Sequence, residues 1–255
     1  MRPARWARRV ALFKHTRWMF AGRMGAPADL VCTPEEAARL RRRMRRTPAP
    51  IDRPVVVISG YLDPGLYAGV VSRELRRLTS HDPADFHVAR FALHGAIEPM
   101  AERVTEKLRA IGSESFDLVG LSMGGLIARR VAAVVNAAGD RRVERVFTLG
   151  TPHRGSTLAE RIAPTEAARQ MRPGSEFLRA LDAALGPSGI ELVAYQMEED
   201  AVIGDGRGVP EGHPGIRLPR RAGEPHLHIM GDPIAILDIG RRLRGESPIL
   251  NPDPS

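Results

Sequence analysis

At 255 residues, 43% hydrophobic and 27% charged, the chain fits one α/β domain with an appendage better than two independent domains. Its single cysteine, Cys32, excludes an internal disulfide, and no apolar run reaches the roughly eighteen residues that a membrane-spanning helix needs. The beginning of the chain lacks the continuous apolar segment and small-residue cleavage site of a secretory signal, so the expectation is a cytoplasmic protein.

The net charge of +8 is unevenly placed. Residues 1–50 hold thirteen Lys/Arg against Asp29, Glu35 and Glu36, which leaves residues 51–255 at −2. Only Lys14 and Lys107 are lysines. An arginine bias of that extent reads as coding composition rather than as selection for phosphate contacts. Aromatic residues make up 5% and no recognised module accompanies the arginines, so nucleic acid is not an expected partner.

In chain order, residues 4–20 carry Trp6, Val10, Phe13 and Phe20 at helical spacing, with arginines elsewhere. A second helix has a clear start. Thr33 is a candidate N-cap, Pro34 takes the first helical position, Glu36 completes a capping box, and the Arg41–Arg46 cluster suits the negative end of the helix dipole. Thr47-Pro48-Ala49-Pro50 ends it as a linker, which makes residues 1–50 a basic helical arm and 51–255 the main domain. The arm reads as a packing or solvated appendage, or as a peripheral anchor on an anionic membrane.

From Pro54 the pattern alternates. Val55–Ile58 is a wholly apolar β-branched run, as in a strand buried on both faces. Strands are expected at 86–93, 116–121, 143–149 and 190–195, and helices at 67–78, 101–111, 123–136 and 233–243. Residues 156–187 break into short helical pieces and form a small cap. Residues 204–225, rich in Gly, Pro and Arg, read as a long loop. Strands alternating with helices imply an α/β fold, with a mostly parallel sheet and helices on both faces.

The strongest local signal is Gly120-Leu121-Ser122-Met123-Gly124, between an apolar strand and a helix. A serine on such a turn takes strained backbone angles, and flanking glycines remove side chains that would clash. Its oxygen stands at the carboxyl ends of the strands, where the Met123 N–H and the helix N-terminus favour a developing negative charge.

This segment resembles the nucleophile elbow of the α/β-hydrolase lipases. Val146 through Ser156 (Val-Phe-Thr-Leu-Gly-Thr-Pro-His-Arg-Gly-Ser) and Gln170 through Leu178 are similar to segments of bacterial triacylglycerol-lipase-like proteins. The likeness covers roughly residues 54–244. It implies an α/β-hydrolase fold with a small helical cap. It also implies a serine esterase or lipase with no cofactor and no metal, acting on a lipid or other small-molecule ester, with the chain order Ser, Asp, His.

Asp200 is similar in place to the acid of these lipases, with Glu198, Glu199 and Asp205 as competitors. His226-Leu227-His228-Ile229-Met230-Gly231-Asp232-Pro233 resembles their histidine loop. Alignment on Asp232-Pro233 gives His226 as base, with His228 and His213 as competitors. His94 and His153 follow other strands and precede the expected acid. The resemblance places a second oxyanion donor at the Tyr61 N–H, in a Ser59-Gly60-Tyr61 loop where related lipases usually carry His-Gly. An acyltransferase or thioesterase on the same fold, or a non-catalytic scaffold, remain the other readings.

Overall fold

A computed structural model describes residues 32–91, 95–220 and 223–252, and in it the alternation forms one open sheet. Its strands are β1 (Val55–Ile58), β2 (Phe86–Ala89), β3 (Ser115–Leu121), β4 (Arg142–Leu149), β5 (Glu191–Met197) and β6 (Gly215–Leu218), in the order β2-β1-β3-β4-β5-β6. Every pairing is parallel. The helices are α1 (Pro34–Arg46), α2 (Leu66–Leu78), α3 (Ile97–Ile111), α4 (Met123–Ala138), α5 (Thr157–Arg161), α6 (Glu166–Gln170), α7 (Glu176–Ser188), α8 (Pro225–Ile229) and α9 (Pro233–Leu243). No helix among the described residues is long and apolar enough to cross a membrane.

The period-2 geometry of the strands divides the core. Val55, Val57, Val119, Leu121, Phe147 and Tyr195 pack beneath α1, α2 and α9. Val56, Ile58, Leu118, Val146 and Leu192 pack beneath α3, α4 and α7. The expected parallel sheet with helices on both faces is therefore what forms.

Several boundaries differ from the sequence expectation. The long loop expected at 204–225 contains β6, whose Ile216 and Leu218 enter the core while Arg217 is exposed. Four residues at a sheet edge, beginning with a glycine, carry too short an alternation to stand out from the surrounding Gly, Pro and Arg. Strand β2 ends at Ala89 rather than 93, and α3 starts at Ile97 rather than 101, with Pro99 in its first turn. The helix expected at 4–20 lies outside the described residues, as does His94.

The capping box of α1 forms as its sequence predicts, with the Glu36 N–H donating to Thr33 Oγ1 (3.2 Å) and the Thr33 N–H to Glu36 Oε2 (2.7 Å). Its Ala37 and Met44 are buried in the core with α2 and α9. Two members of its arginine cluster turn inward. Arg41 (2.8 Å) and Arg45 both donate to Glu74 Oε1 on α2, whose side chain is buried. That pairing holds the Glu74 carboxyl below its ordinary range against the opposing effect of burial. Arg42, Arg43 and Arg46 remain exposed.

Because Met44 is only 1% exposed, Met44→Ala is expected to destabilise the protein by about 2–4 kcal/mol. The urea midpoint should fall at unchanged slope. An unchanged midpoint would show that α1 contributes nothing to the core.

Candidate active site

Ser122 joins β3 to α4 with φ 51° and ψ −122°, a conformation that costs a non-glycine residue of order 1–3 kcal/mol. The surroundings hold it there. Its N–H donates to the Leu149 carbonyl (2.8 Å), and its own carbonyl accepts from the Gly125 N–H (3.0 Å) and the Thr151 hydroxyl (2.8 Å). The three glycines around it are needed for close approach. A Cβ on Gly120 would lie 2.3 Å from Gly125 Cα, one on Gly124 2.4 Å from the Ile58 carbonyl oxygen, and one on Gly125 2.0 Å from Thr151 Oγ1. The first turn of α4 thus sits directly on β1, β3 and the turn after β4.

Ser122 Oγ lies 3.0 Å from His226 Nε2, and His226 Nδ1 lies 2.9 Å from Asp200 Oδ2. Asp200 and His226 are 5% and 9% exposed, while Ser122 is half-buried. Asp200 Oδ1 accepts the N–H groups of Val202 (3.0 Å) and Ile203 (3.1 Å), so the carboxylate is oriented by its own loop. Since Asp200 Oδ2 is an acceptor, the proton of a neutral His226 sits on Nδ1, and the Nε2 lone pair faces the serine hydroxyl.

The loop after β1 passes against the serine: a Cβ on Gly60 would lie 2.9 Å from the Leu121 carbonyl oxygen and 3.2 Å from Ser122 Cβ. This brings the Tyr61 backbone to the same end of the sheet as Met123. Ser59 is fully buried, and its Oγ has no hydrogen-bond partner among the described residues. The loop is held from elsewhere. Asp63 Oδ1 accepts the N–H groups of Gly65 (3.0 Å) and Leu66 (2.7 Å) at the start of α2, and the Asp63 N–H returns to the Gly60 carbonyl (3.3 Å). The Tyr61 hydroxyl meets Thr165 Oγ1 at 3.0 Å.

The mature lipase BlEst2 of Bacillus licheniformis superposes with a TM-score of 0.52 at 17% identity, covering 72% of this chain and 89% of that one. The type II thioesterase BorB from the borrelidin biosynthetic cluster gives 0.50 at 15% identity, with 79% and 95% covered. The chain has the α/β-hydrolase fold. A family model described as a thioesterase domain matches residues 68–191 of this hydrolase-fold chain. Over 67 residues, 26% of the chain, it is 42% identical to a triacylglycerol lipase of Pseudarthrobacter phenanthrenivorans. The sequence likeness to the lipases is confined to that 67-residue segment, and the chain spans only about a fifth of the length of the curated relatives it matches (20% and 18%).

Within this hydrolase fold, His226 rather than His228 or His213 meets the serine, and it does so from the short helix α8 rather than from a loop. Glu199 is exposed and paired with Arg220 (2.5 Å), Asp205 accepts from the Glu199 N–H (3.3 Å), and Glu198 is exposed, which leaves Asp200 as the acid on the histidine. His153 is fully buried, and both its ring nitrogens are occupied, Nδ1 by Arg129 (3.1 Å) and Nε2 by Thr148 Oγ1 (2.9 Å). Burial, then the Arg129 charge, pushes its pKa well below the ordinary histidine value, so it is a neutral structural link. Arg129 continues that link to Asp182 on α7 (2.8 Å).

Three supporting residues went unnoticed in the sequence: Thr151, Asp63 and Thr165. Asp63 had a local signal, an aspartate just ahead of a helix start. The partners of the other two lie 29 and 104 residues away, so no spacing reveals them.

Gly124→Ala presses its Cβ into backbone and is expected to cost about 1–3 kcal/mol. Gly69→Ala, inside α2 with nothing within 4 Å, is expected to be neutral or to add up to about 1 kcal/mol. Urea midpoints give the ranking, and equal midpoints would contradict the close-approach argument.

Proposed function

We propose that the protein is a serine-dependent carboxylic-ester hydrolase, with Ser122, His226 and Asp200 as its triad. The observation that carries this reading is the continuous relay from Ser122 Oγ through His226 to Asp200, at 3.0 and 2.9 Å, assembled from three separate segments around a strained serine.

In this mechanism Ser122 Oγ attacks the acyl carbon as His226 Nε2 takes its proton, and Asp200 stabilises the resulting imidazolium. The Met123 and Tyr61 N–H groups receive the oxyanion, each contributing about 3 kcal/mol in comparable sites. Collapse expels the alcohol, protonated by His226, and leaves an acyl-serine. Water, deprotonated by His226, then releases the acid and restores Ser122. The lipase-like sequence segment favours lipid-like acyl esters as substrates. The thioesterase-domain match over 68–191, which includes Ser122, favours a second reading with a thiol as leaving group.

A fluorophosphonate probe is expected to label the wild type and not Ser122→Ala; label retained in the variant would refute the nucleophile. Asp200→Asn should lower kcat about 10^3–10^4-fold, because it disturbs the histidine tautomer. Initial rates on a chain-length series of oxygen esters and matched thioesters separate the two substrate readings, and no turnover of either would end both. Tyr61→Phe removes the bond to Thr165 and loosens the loop that carries the Tyr61 N–H. It should therefore lower kcat several-fold with little change in KM, whereas an altered KM alone would make Tyr61 a wall of the acyl pocket.

A further inference from the structure

The turn after β4 is fixed by buried side chains that take no part in the relay. Arg129 lies about two turns along α4 from Ser122 and is 2% exposed. Its Nη1 meets His153 Nδ1 (3.1 Å), and its Nη2 donates to the Leu181 carbonyl (2.9 Å) and to Asp182 (2.8 Å). A guanidinium only donates, so His153 Nδ1 is the acceptor. The ring proton then sits on Nε2, which donates to Thr148 Oγ1 (2.9 Å). This tautomer is the opposite of the one at His226.

These bonds close a ring around the serine. Thr148 stands in register with Gly120, the first glycine of the elbow. The His153 N–H donates to the Thr151 carbonyl (2.9 Å), and the Thr151 hydroxyl donates to the Ser122 carbonyl (2.8 Å). Thr151 also covers Gly125, in the first turn of the helix that carries Arg129. The ring thus runs from Ser122 along α4 to Arg129, across to His153, and back through Thr151 to Ser122. Burial of Arg129 carries a desolvation penalty that its partners offset only in part. Its carboxylate partner Asp182 is 44% exposed, and its own Nε has no hydrogen-bond partner among the described residues. An apolar side chain of similar volume often fills such a space equally well. It cannot supply direction, whereas the planar guanidinium fork fixes the position of the His153 ring, and that ring belongs to the turn.

Resting on the triad reading, we infer that Arg129 and His153 are positioning residues for Ser122 and act through Thr151. The pair sets the Thr151 hydroxyl. That hydroxyl holds the Ser122 carbonyl, and with it the strained backbone that presents Oγ to His226. Neither side chain bonds to Ser122, His226 or Asp200. Their influence therefore falls on the rate of attack by the serine and not on the fit of the acyl chain.

The test is a double-mutant cycle of His153→Leu and Thr151→Val in the full chain. It is read by kcat and KM for p-nitrophenyl butyrate and by the rate of fluorophosphonate labelling. Each single variant should lower kcat about 10- to 100-fold, the range of a slightly misplaced reacting group, with KM within about twofold. Labelling should slow in parallel. The double variant should fall no further than the slower single variant, because both changes break one link. Arg129→Met should lose as much as His153→Leu. His153→Asn, whose Oδ1 can replace Nδ1 as the acceptor for Arg129, should regain part of the rate. Thermal midpoints establish that each variant is folded, and Arg129→Met takes the place of His153→Leu in the cycle if the latter is not. Full rate in a folded His153→Leu or Arg129→Met protein, losses that multiply in the double variant, a change confined to KM, or His153→Asn no faster than His153→Leu would overturn the inference. A wild type that does not label would overturn the triad reading and this inference with it. A wild type that labels no faster than His153→Leu would overturn this inference alone.

Discussion

Everything at the candidate site depends on how closely the first turn of α4 approaches the sheet. Gly120, Gly124 and Gly125 let helix backbone touch β1, β3 and the turn after β4 at distances no side chain allows. That contact forces Ser122 into a positive φ, and its hydrogen bonds to the Leu149 carbonyl and from Gly125 and Thr151 hold it there. The strain is offset by the packing of α4, along nearly its whole length, into the core on its own face of the sheet. Were the helix an ångström further out, the serine oxygen and the Met123 N–H would both lose their positions relative to the histidine.

The remaining site residues are attached to that contact through loops with their own supports. Asp200 is oriented by two N–H groups of its own turn, and that turn is zipped to the start of α5. There the Leu158 and Thr157 N–H groups bond to the Val202 and Ile203 carbonyls, at 3.1 and 3.0 Å. The loop after β1 is anchored by Asp63 at the head of α2 and by Tyr61 against Thr165 ahead of α6. The short helices α5 and α6 therefore brace both the Asp200 loop and the loop after β1. Helix α7 is part of the helical layer over the sheet, with Phe177, Leu178 and Leu181 in the core.

Buried charge outside the site follows a single pattern, in which each carboxylate serves several donors. Asp238 accepts from the Tyr195 hydroxyl (2.6 Å), from Arg242 (2.7 Å) and from the Ile249 and Leu250 N–H groups, which pins the C-terminal segment to α9. Burial, reinforced by Asp238, keeps the Tyr195 phenol well above its ordinary pKa and thus neutral. Asp117 holds Arg53 (3.2 Å) and Arg145 (2.5 Å) at the opposite end of the sheet from Ser122. Charges buried this way need several partners to offset desolvation, and an arginine-rich chain has donors at hand.

Sequence alone determined the features that are local. Apolar β-branched runs and helical periodicity marked β1, β3, β4 and the long helices, because those patterns reflect burial of neighbouring residues. The glycine spacing located the elbow at Ser122, since the need for missing side chains is itself a local property. The capping box of α1 was readable for the same reason. The four residues of β6 were not legible, because their placement depends on β5 offering an edge rather than on their own propensity. Nor could spacing separate Asp200 from three neighbouring acids, or His226 from His228. Resemblance ranked them, and only the folded chain brings one carboxylate and one imidazole within 3 Å of each other, across 26 residues, and that imidazole to Ser122 across 104. Tertiary structure decided these points because hydrogen bonding requires the positions of both partners, and here the partners lie in segments far apart in the chain.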